Sequence, residues 1–231
     1  MKNLRNTIAA VVVLIATNVF AQNKEVTFDT YAHATVTKSS KYLLANDVAL
    51  RDCPATQCQK ITTLPIGMKV RLLEKSKNAI TLNGVTSSFY KITVGPDTGW
   101  IWGGLISQKT MSSTADPAIM FVFGEKGIKG SDDADATKNY QIRAVKNGVE
   151  IDRLTITSQA LNYENVTNLG NKGMQGVDDI ISLSLIDGET CDTIENALYV
   201  VWKNNTFKKT TEVVALVDAI SGTDSCSLFD N

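Results

Sequence analysis

Phe89-Tyr90-Lys91-Ile92-Thr93-Val94-Gly95-Pro96-Asp97-Thr98-Gly99-Trp100-Ile101-Trp102 is the run whose reading decides the fold. Side chains along a strand alternate between faces, so Tyr90, Ile92 and Val94 share one side while Phe89, Lys91 and Thr93 share the other. Gly95-Pro96-Asp97 breaks the strand. The next strand carries Trp100 and Trp102 on one face and Ile101 on the opposite, core-directed face. Working back toward the N-terminus, Val48 and Leu50 alternate with Ala49 and Arg51 before a turn at Asp52-Cys53-Pro54. Lys60 to Leu64 makes a short strand, and Pro65-Ile66-Gly67 turns the chain again. Met68, Val70 and Leu72 then oppose Lys69, Arg71 and Leu73. Short alternating strands separated by Gly- and Pro-containing turns predict a small β-barrel over residues 41–107.

Four landmarks in this stretch fall in a fixed order: Ala49-Leu50-Arg51 before Pro54, Ile66-Gly67-Met68-Lys69-Val70, Phe89-Tyr90-Lys91-Ile92, and Gly99-Trp100-Ile101. Together they resemble the bacterial SH3 (SH3b) family. Two departures stand out: Phe89 occupies the place of the usual Trp, and Cys53 and Cys58 sit in a loop where the family commonly has Ser, Gly or Thr. The resemblance implies a recognition module for wall peptides or other protein segments.

Outward from the barrel, Lys2 and Arg5 precede an apolar run from Ile8 to Ile15 and the small-residue end Val19-Phe20-Ala21. These features predict a signal peptide over residues 1–21, too short for a membrane span, and a periplasmic or secreted product. No Cys follows Ala21, which removes the acceptor for a lipid anchor. Residues 22–40 read as a leader or added edge strand. With export, all four cysteines can pair, and the expected bridges are Cys53–Cys58 and Cys191–Cys226; the alternative, a four-thiolate zinc site, lacks tight C-x-x-C knuckles.

The chain is nearly neutral, with a net charge of −1, which argues against nucleic acid as a partner. Its charge is nonetheless uneven: residues 22–115 hold 11 basic and 6 acidic side chains, residues 116–231 hold 10 basic and 18 acidic. The halves attract each other, or the basic barrel favours an anionic surface such as cell wall, or the charge is simply solvated.

Residues 108–117, rich in Ser and Thr and closed by Pro117, read as a linker. A second, β-rich domain over 118–231 then opens with the continuous apolar run Ala118 to Phe123, which suits a strand covered on both faces. Asp132, Asp133 and Asp135 form a loop with oxygen ligands of the kind calcium takes, but without EF-hand order, so a solvated loop is the plainer reading. Asn147-Gly148 between Tyr140–Val145 and Val149–Ile156 is a strong hairpin signal. The Gly- and Asn-rich segment 170–176 feeding Val177-Asp178-Asp179 resembles the Asp- and Gly-rich turn of FG-GAP or propeller-like repeats. Asn168 and Asn171 stand where those repeats carry a run of Asp, and one copy does not make a propeller. A β-sandwich or a single curved sheet is therefore expected, with Ala197 to Trp202 and Phe207 to Val217 as further strands. Glu212 to Ile220 reads equally as helix or edge strand, and residues 221–231 as a closing tail.

The sequence offers little for catalysis. A nucleophile of the Ser-His or Cys-His type needs a base within hydrogen-bond reach, and the sole His is His33, in the poorly patterned leader. Asp178 and Asp179 are adjacent and face opposite ways, so they do not form a glycosidase pair. No catalytic residue, cofactor or metal is expected. Trp100 and Trp102, with Phe89, Tyr90, Arg51 and Lys91 nearby, form the expected ligand surface, because exposed indoles supply rigid contact area with a polar N–H. The favoured reading is a non-catalytic exported adaptor that binds cell-wall or envelope peptides or proteins, with neither a membrane span nor nucleic acid. Its rival is a calcium-dependent or carboxylate-based envelope hydrolase targeted by the barrel, and a third reading is a purely structural barrel packed on the acidic domain.

Overall fold

Alternation sets the first sheet. In the computed structural model, which describes residues 25–28, 39–129, 137–158, 165–184 and 197–209, the N-terminal strands are β1 (Ser40–Tyr42), β2 (Val48–Arg51), β3 (Lys60–Leu64), β4 (Lys69–Leu82), β5 (Val85–Val94) and β6 (Asp97–Trp102). They form one antiparallel sheet in the order β1-β4-β5-β6-β2-β3. Its register is broken within β4, between Leu72 and Glu74 and between Lys75 and Ala79. Such bulges bend a strand and raise its twist, and here they curl the sheet into a half-barrel. A 3-10 turn at Gly103–Leu105 follows β6, and an isolated bridge between Leu43 and Ile106 draws the two ends of the unit together. The concave side is filled by the alternating residues read from the sequence: Val48, Leu50, Val70, Leu72, Tyr90, Ile92 and Ile101 are buried together.

The expected linker is a strand instead. Lys109–Ser112 forms β7, paired in register from Lys109↔Phe123 to Ser112↔Met120 with β8 (Ile119–Lys129). Met111 packs against the neighbouring core, so the segment has an apolar reason to stay ordered that its Ser and Thr content obscures. Next come β9 (Thr137–Lys146) and β10 (Val149–Ser158), completing a meander in the order β10-β9-β8-β7. Asn147 and Gly148 both take positive φ, 53° and 75°, as a type I′ hairpin requires. A second meander, β11 (Val166–Asn168), β12 (Asp179–Ser184), β13 (Ala197–Lys203) and β14 (Thr206–Lys209), is likewise four-stranded.

These two sheets pack face to face. Phe121, Phe123, Tyr140 and Ile142 from one meet Ile181, Leu183, Val200, Trp202 and Phe207 from the other, and Phe121 touches both Trp202 and Phe207 with ring centroids 5.5 and 5.6 Å apart. Of the two architectures expected, the sandwich is the one observed. The Gly-rich loop 170–176 belongs to it: Leu169, Met174 and Val177 cover Ile180, Tyr199 and Val201 on the outer face of the second sheet.

Strand β8 is buried on both sides, as the unbroken apolar run implied. Ile119, Phe121 and Phe123 enter the sandwich, while Val122, with Met120 beside it, packs on Leu44 and Ile66 of the half-barrel together with Val145. Gln108 fastens the same seam, its Oε1 accepting the Glu125 backbone N–H at 2.7 Å. A buried carboxylate adds a second tie. Asp179 is fully buried, and Oδ1 accepts from Thr114 N (2.8 Å), Thr114 Oγ1 (2.6 Å) and Asn168 Nδ2 (2.9 Å), while Oδ2 accepts from Ser113 Oγ. Neutral donors thus satisfy a charge that burial alone would make costly.

Several sequence readings lie outside the described residues: the signal peptide, His33, the Asp132 loop, the Cys191–Cys226 bridge and the segment from Glu212 to Ile220.

Two predictions follow from this packing. Gly127 has φ +134°, and an added Cβ would lie 2.3 Å from the Asn83 carbonyl oxygen. Gly127→Ala should therefore lower unfolding stability by about 3 kcal/mol in urea titration, against about 1 kcal/mol for Gly148→Ala, whose left-handed turn has open space around it. The second concerns Glu125, whose pKa is raised because burial outweighs the pairing with Lys138 at 3.2 Å. A folded-state pKa above the unfolded value favours the fold at low pH and loses that contribution as pH rises through it. The stability of Glu125→Gln relative to the native chain should accordingly increase as pH rises above the ordinary carboxyl pKa of 4.5 and level off once the raised folded-state pKa is passed; an opposite slope would refute the assignment.

Candidate functional site

The convex face of the half-barrel carries a row of side chains fixed by strand register. Arg51 of β2 pairs with Trp100 of β6, Trp100 pairs with Lys91 of β5, and Lys91 pairs with Glu74 of β4. On the far side, Arg51 pairs with Lys60 of β3. Directly paired residues point to the same face, so Lys60, Arg51, Trp100, Lys91 and Glu74 line up across five strands. Contacts confirm the alignment: Lys91 Nζ lies 6.0 Å from the Trp100 ring centroid and 3.9 Å from Glu74 Oε2. One row along, Arg71 pairs with Thr93 and Thr93 with Thr98, adding another exposed cation to the same face.

Three expected ligand residues are not on this open surface, and here the sequence reading is corrected. Trp102 does share a face with Trp100, but it is 8% exposed and packs with Val26, Val85 and Phe89. Its indole N–H donates to Ser87 O at 3.0 Å. The cover is the short segment at residues 25–28. Val26 lies parallel to β5 at Ser87, where β6 has already turned away, with Val26 N donating to Thr86 O at 2.8 Å and Ser87 Oγ donating to Val26 O at 2.6 Å. Phe89, opposite Trp102 in register, is buried by the same cover. Tyr90 points into the concave core, and its hydroxyl meets Thr27 Oγ1 and accepts from Phe28 N, both at 3.2 Å. What was read as an aromatic patch is mostly a second, smaller core.

Arg51, Lys91 and Trp100 remain available, each half-buried. Trp100 sits where the small apolar cluster ends and the cations begin. Arg51 is held by the disulfide loop: Cys53 and Cys58 are bonded, and Arg51 Nη1 donates to the Cys58 carbonyl at 2.7 Å. Asp52 N donates to Gln59 O at 3.1 Å, closing the loop at its base. The bridge therefore does more than staple the chain, because the carbonyl it positions holds the guanidinium of the residue paired with Trp100. An Asp52 carboxylate oxygen lies within 4.8 Å of both sulfurs, but the sulfurs bond each other, leaving neither as a thiolate for zinc. Lys60, Glu74 and Arg71 were not picked out from the sequence. The β3–β2–β6 pairings bring Lys60 toward Trp100 and the β4–β5–β6 pairings bring Glu74 and Arg71, and bulges shift both the β2–β3 and β4–β5 registers.

Comparison with known proteins bears on this unit. The family model of the bacterial SH3 domain matches residues 46–107, which run from the turn before β2 to the end of the half-barrel. The sandwich lies outside that match. No curated protein and no solved structure matches the chain.

Replacing both Cys53 and Cys58 by Ser should lower unfolding stability by about 2 kcal/mol, the loop-closure value for so short a ring, and reduction of the native chain, which opens every bridge it has, should cost at least as much. Unchanged denaturation midpoints under reducing conditions would show that the loop is held without the bridge.

Proposed function

We propose that this protein is a non-catalytic exported binding protein whose bacterial SH3 domain recognises cell-wall or envelope peptides through the convex face around Trp100. The observation that carries the reading is Trp100 itself, a half-exposed indole set in register between two cations on the matched domain. Indoles and guanidinium groups are the side chains that most often dominate recognition energetics. The bacterial SH3 match supports a wall-binding role, and the Cys53–Cys58 bridge is consistent with an oxidising compartment. Among the described residues no helix is long and apolar enough to cross a membrane.

The hydrolase reading finds less support in the second domain. Asp179 spends both oxygens on Ser113, Thr114 and Asn168, and Asp178 accepts the Asn204 backbone N–H at 3.1 Å. Both carboxylates are engaged in holding strands and turns together.

The test is co-sedimentation of the full mature chain with insoluble peptidoglycan, alongside capture of envelope proteins on the immobilised chain. Retention is expected, and Trp100→Ala should reduce it roughly tenfold, as truncation of a hot-spot indole does. Circular dichroism would verify that the variant keeps its fold. Retention on neither support, or retention indifferent to Trp100→Ala, would overturn the proposal.

A further inference from the structure

We infer that the peptide bound at this face is acidic, carrying two carboxylates about 10 Å apart that reach Arg51 and Lys91 on either side of Trp100. This rests on the peptide-binding reading above and specifies the ligand's chemistry. Adjacent strands lie about 4.8 Å apart, so two residues flanking the central strand of a row are separated by about 10 Å. Arg51 and Lys91 flank Trp100 in that way.

The charges around them set the sign. Lys60 continues the row beyond Arg51, and Arg71 lies one row along, against the single carboxylate of Glu74. Lys91 approaches that carboxylate only at 3.9 Å, with both side chains well exposed. A pair so solvated contributes little, so an incoming carboxylate competes for Lys91 at small cost. Arg51 commits Nη1 to the Cys58 carbonyl and keeps further N–H groups of its fork for a carboxylate.

The placement of Lys91 also separates a peptide from a sugar. A saccharide ring stacks on an open aromatic face, whereas Lys91 Nζ already lies over the Trp100 ring at 6.0 Å. A peptide in the polyproline II conformation needs no such stacking, and with three residues per turn at a rise of about 3.1 Å it sets every third side chain on one face about 9 Å apart. It can lie across the indole edge and direct its acidic side chains to the cations.

Isothermal titration of the full mature chain provides the test, with an amide-capped hexapeptide containing two Glu separated by two Ala, its Gln-for-Glu analogue, and a hexameric galacturonate. The acidic peptide should bind at least tenfold more tightly than the Gln analogue. That preference should fall below twofold in Lys91→Gln and in Arg51→Gln, and should shrink as salt is raised. Both side chains are half-buried and Arg51 bonds the Cys58 carbonyl, so urea midpoints would verify folding of each variant. Equal binding of the two peptides would overturn the acidic preference while leaving the peptide reading intact. Tighter binding of the galacturonate than of the acidic peptide would assign the face to an anionic glycan and overturn the inference. Binding of none of the three would overturn the inference, and the wall and envelope capture experiment would then decide the broader reading separately.

Discussion

Burial of β8 on both of its faces is the constraint from which the rest of the architecture follows. A strand with one wet face needs only one partner layer, but Ile119 to Phe123 is apolar at every position and must be covered twice. The sandwich supplies one cover through Trp202 and Phe207, and the half-barrel supplies the other through Leu44 and Ile66. Each fully buried side chain of this type is stabilised by about 1.5–3 kcal/mol relative to exposure. Four of them, Leu44, Ile66, Val122 and Val145, form the seam. An apolar contact of that kind holds a fixed geometry where a polar, hydrated one would permit domain motion.

The recognition face depends on the same economy of surfaces. The half-barrel's inner side is filled by its own core and one outer flank is taken by β8 and β9. Part of the convex side is closed by Val26 and Phe28 over Phe89 and Trp102. What stays open is the band of cations around Trp100. Its order comes from backbone pairing and from the disulfide loop that orients Arg51, so the face is positioned by strands and a covalent ring. Side chains held in this way lose little freedom on binding.

Much of the fold was legible because alternation and turn chemistry are local. Val48, Leu50, Val70, Leu72, Ile92 and Ile101 all face the core assigned to them from period two, and Asn147-Gly148 forms its hairpin. The site was only partly legible, because burial is a property of tertiary cover. Trp100 and Trp102 do share a face, as their spacing requires, yet only Trp102 lies beneath a segment more than 70 residues earlier in the chain. Lys60 and Glu74 join the row through pairings shifted by bulges, which hydrophobic pattern does not encode. Composition likewise disguised β7, whose Thr110 and Ser112 serve a ladder, and the Ser113 and Thr114 that follow it, which bond a buried carboxylate.

The seam at Val122 also limits how the gene can be dissected. Cutting the chain at the boundary that composition suggests, near residue 108, would leave Leu44 and Ile66 bare on one fragment and Val122 and Val145 bare on the other. A cut just after Gln108 would also part its side chain from the Glu125 backbone N–H that it accepts. Each piece would carry a greasy scar and tend to self-associate, so expression plasmids should keep the two modules in one polypeptide.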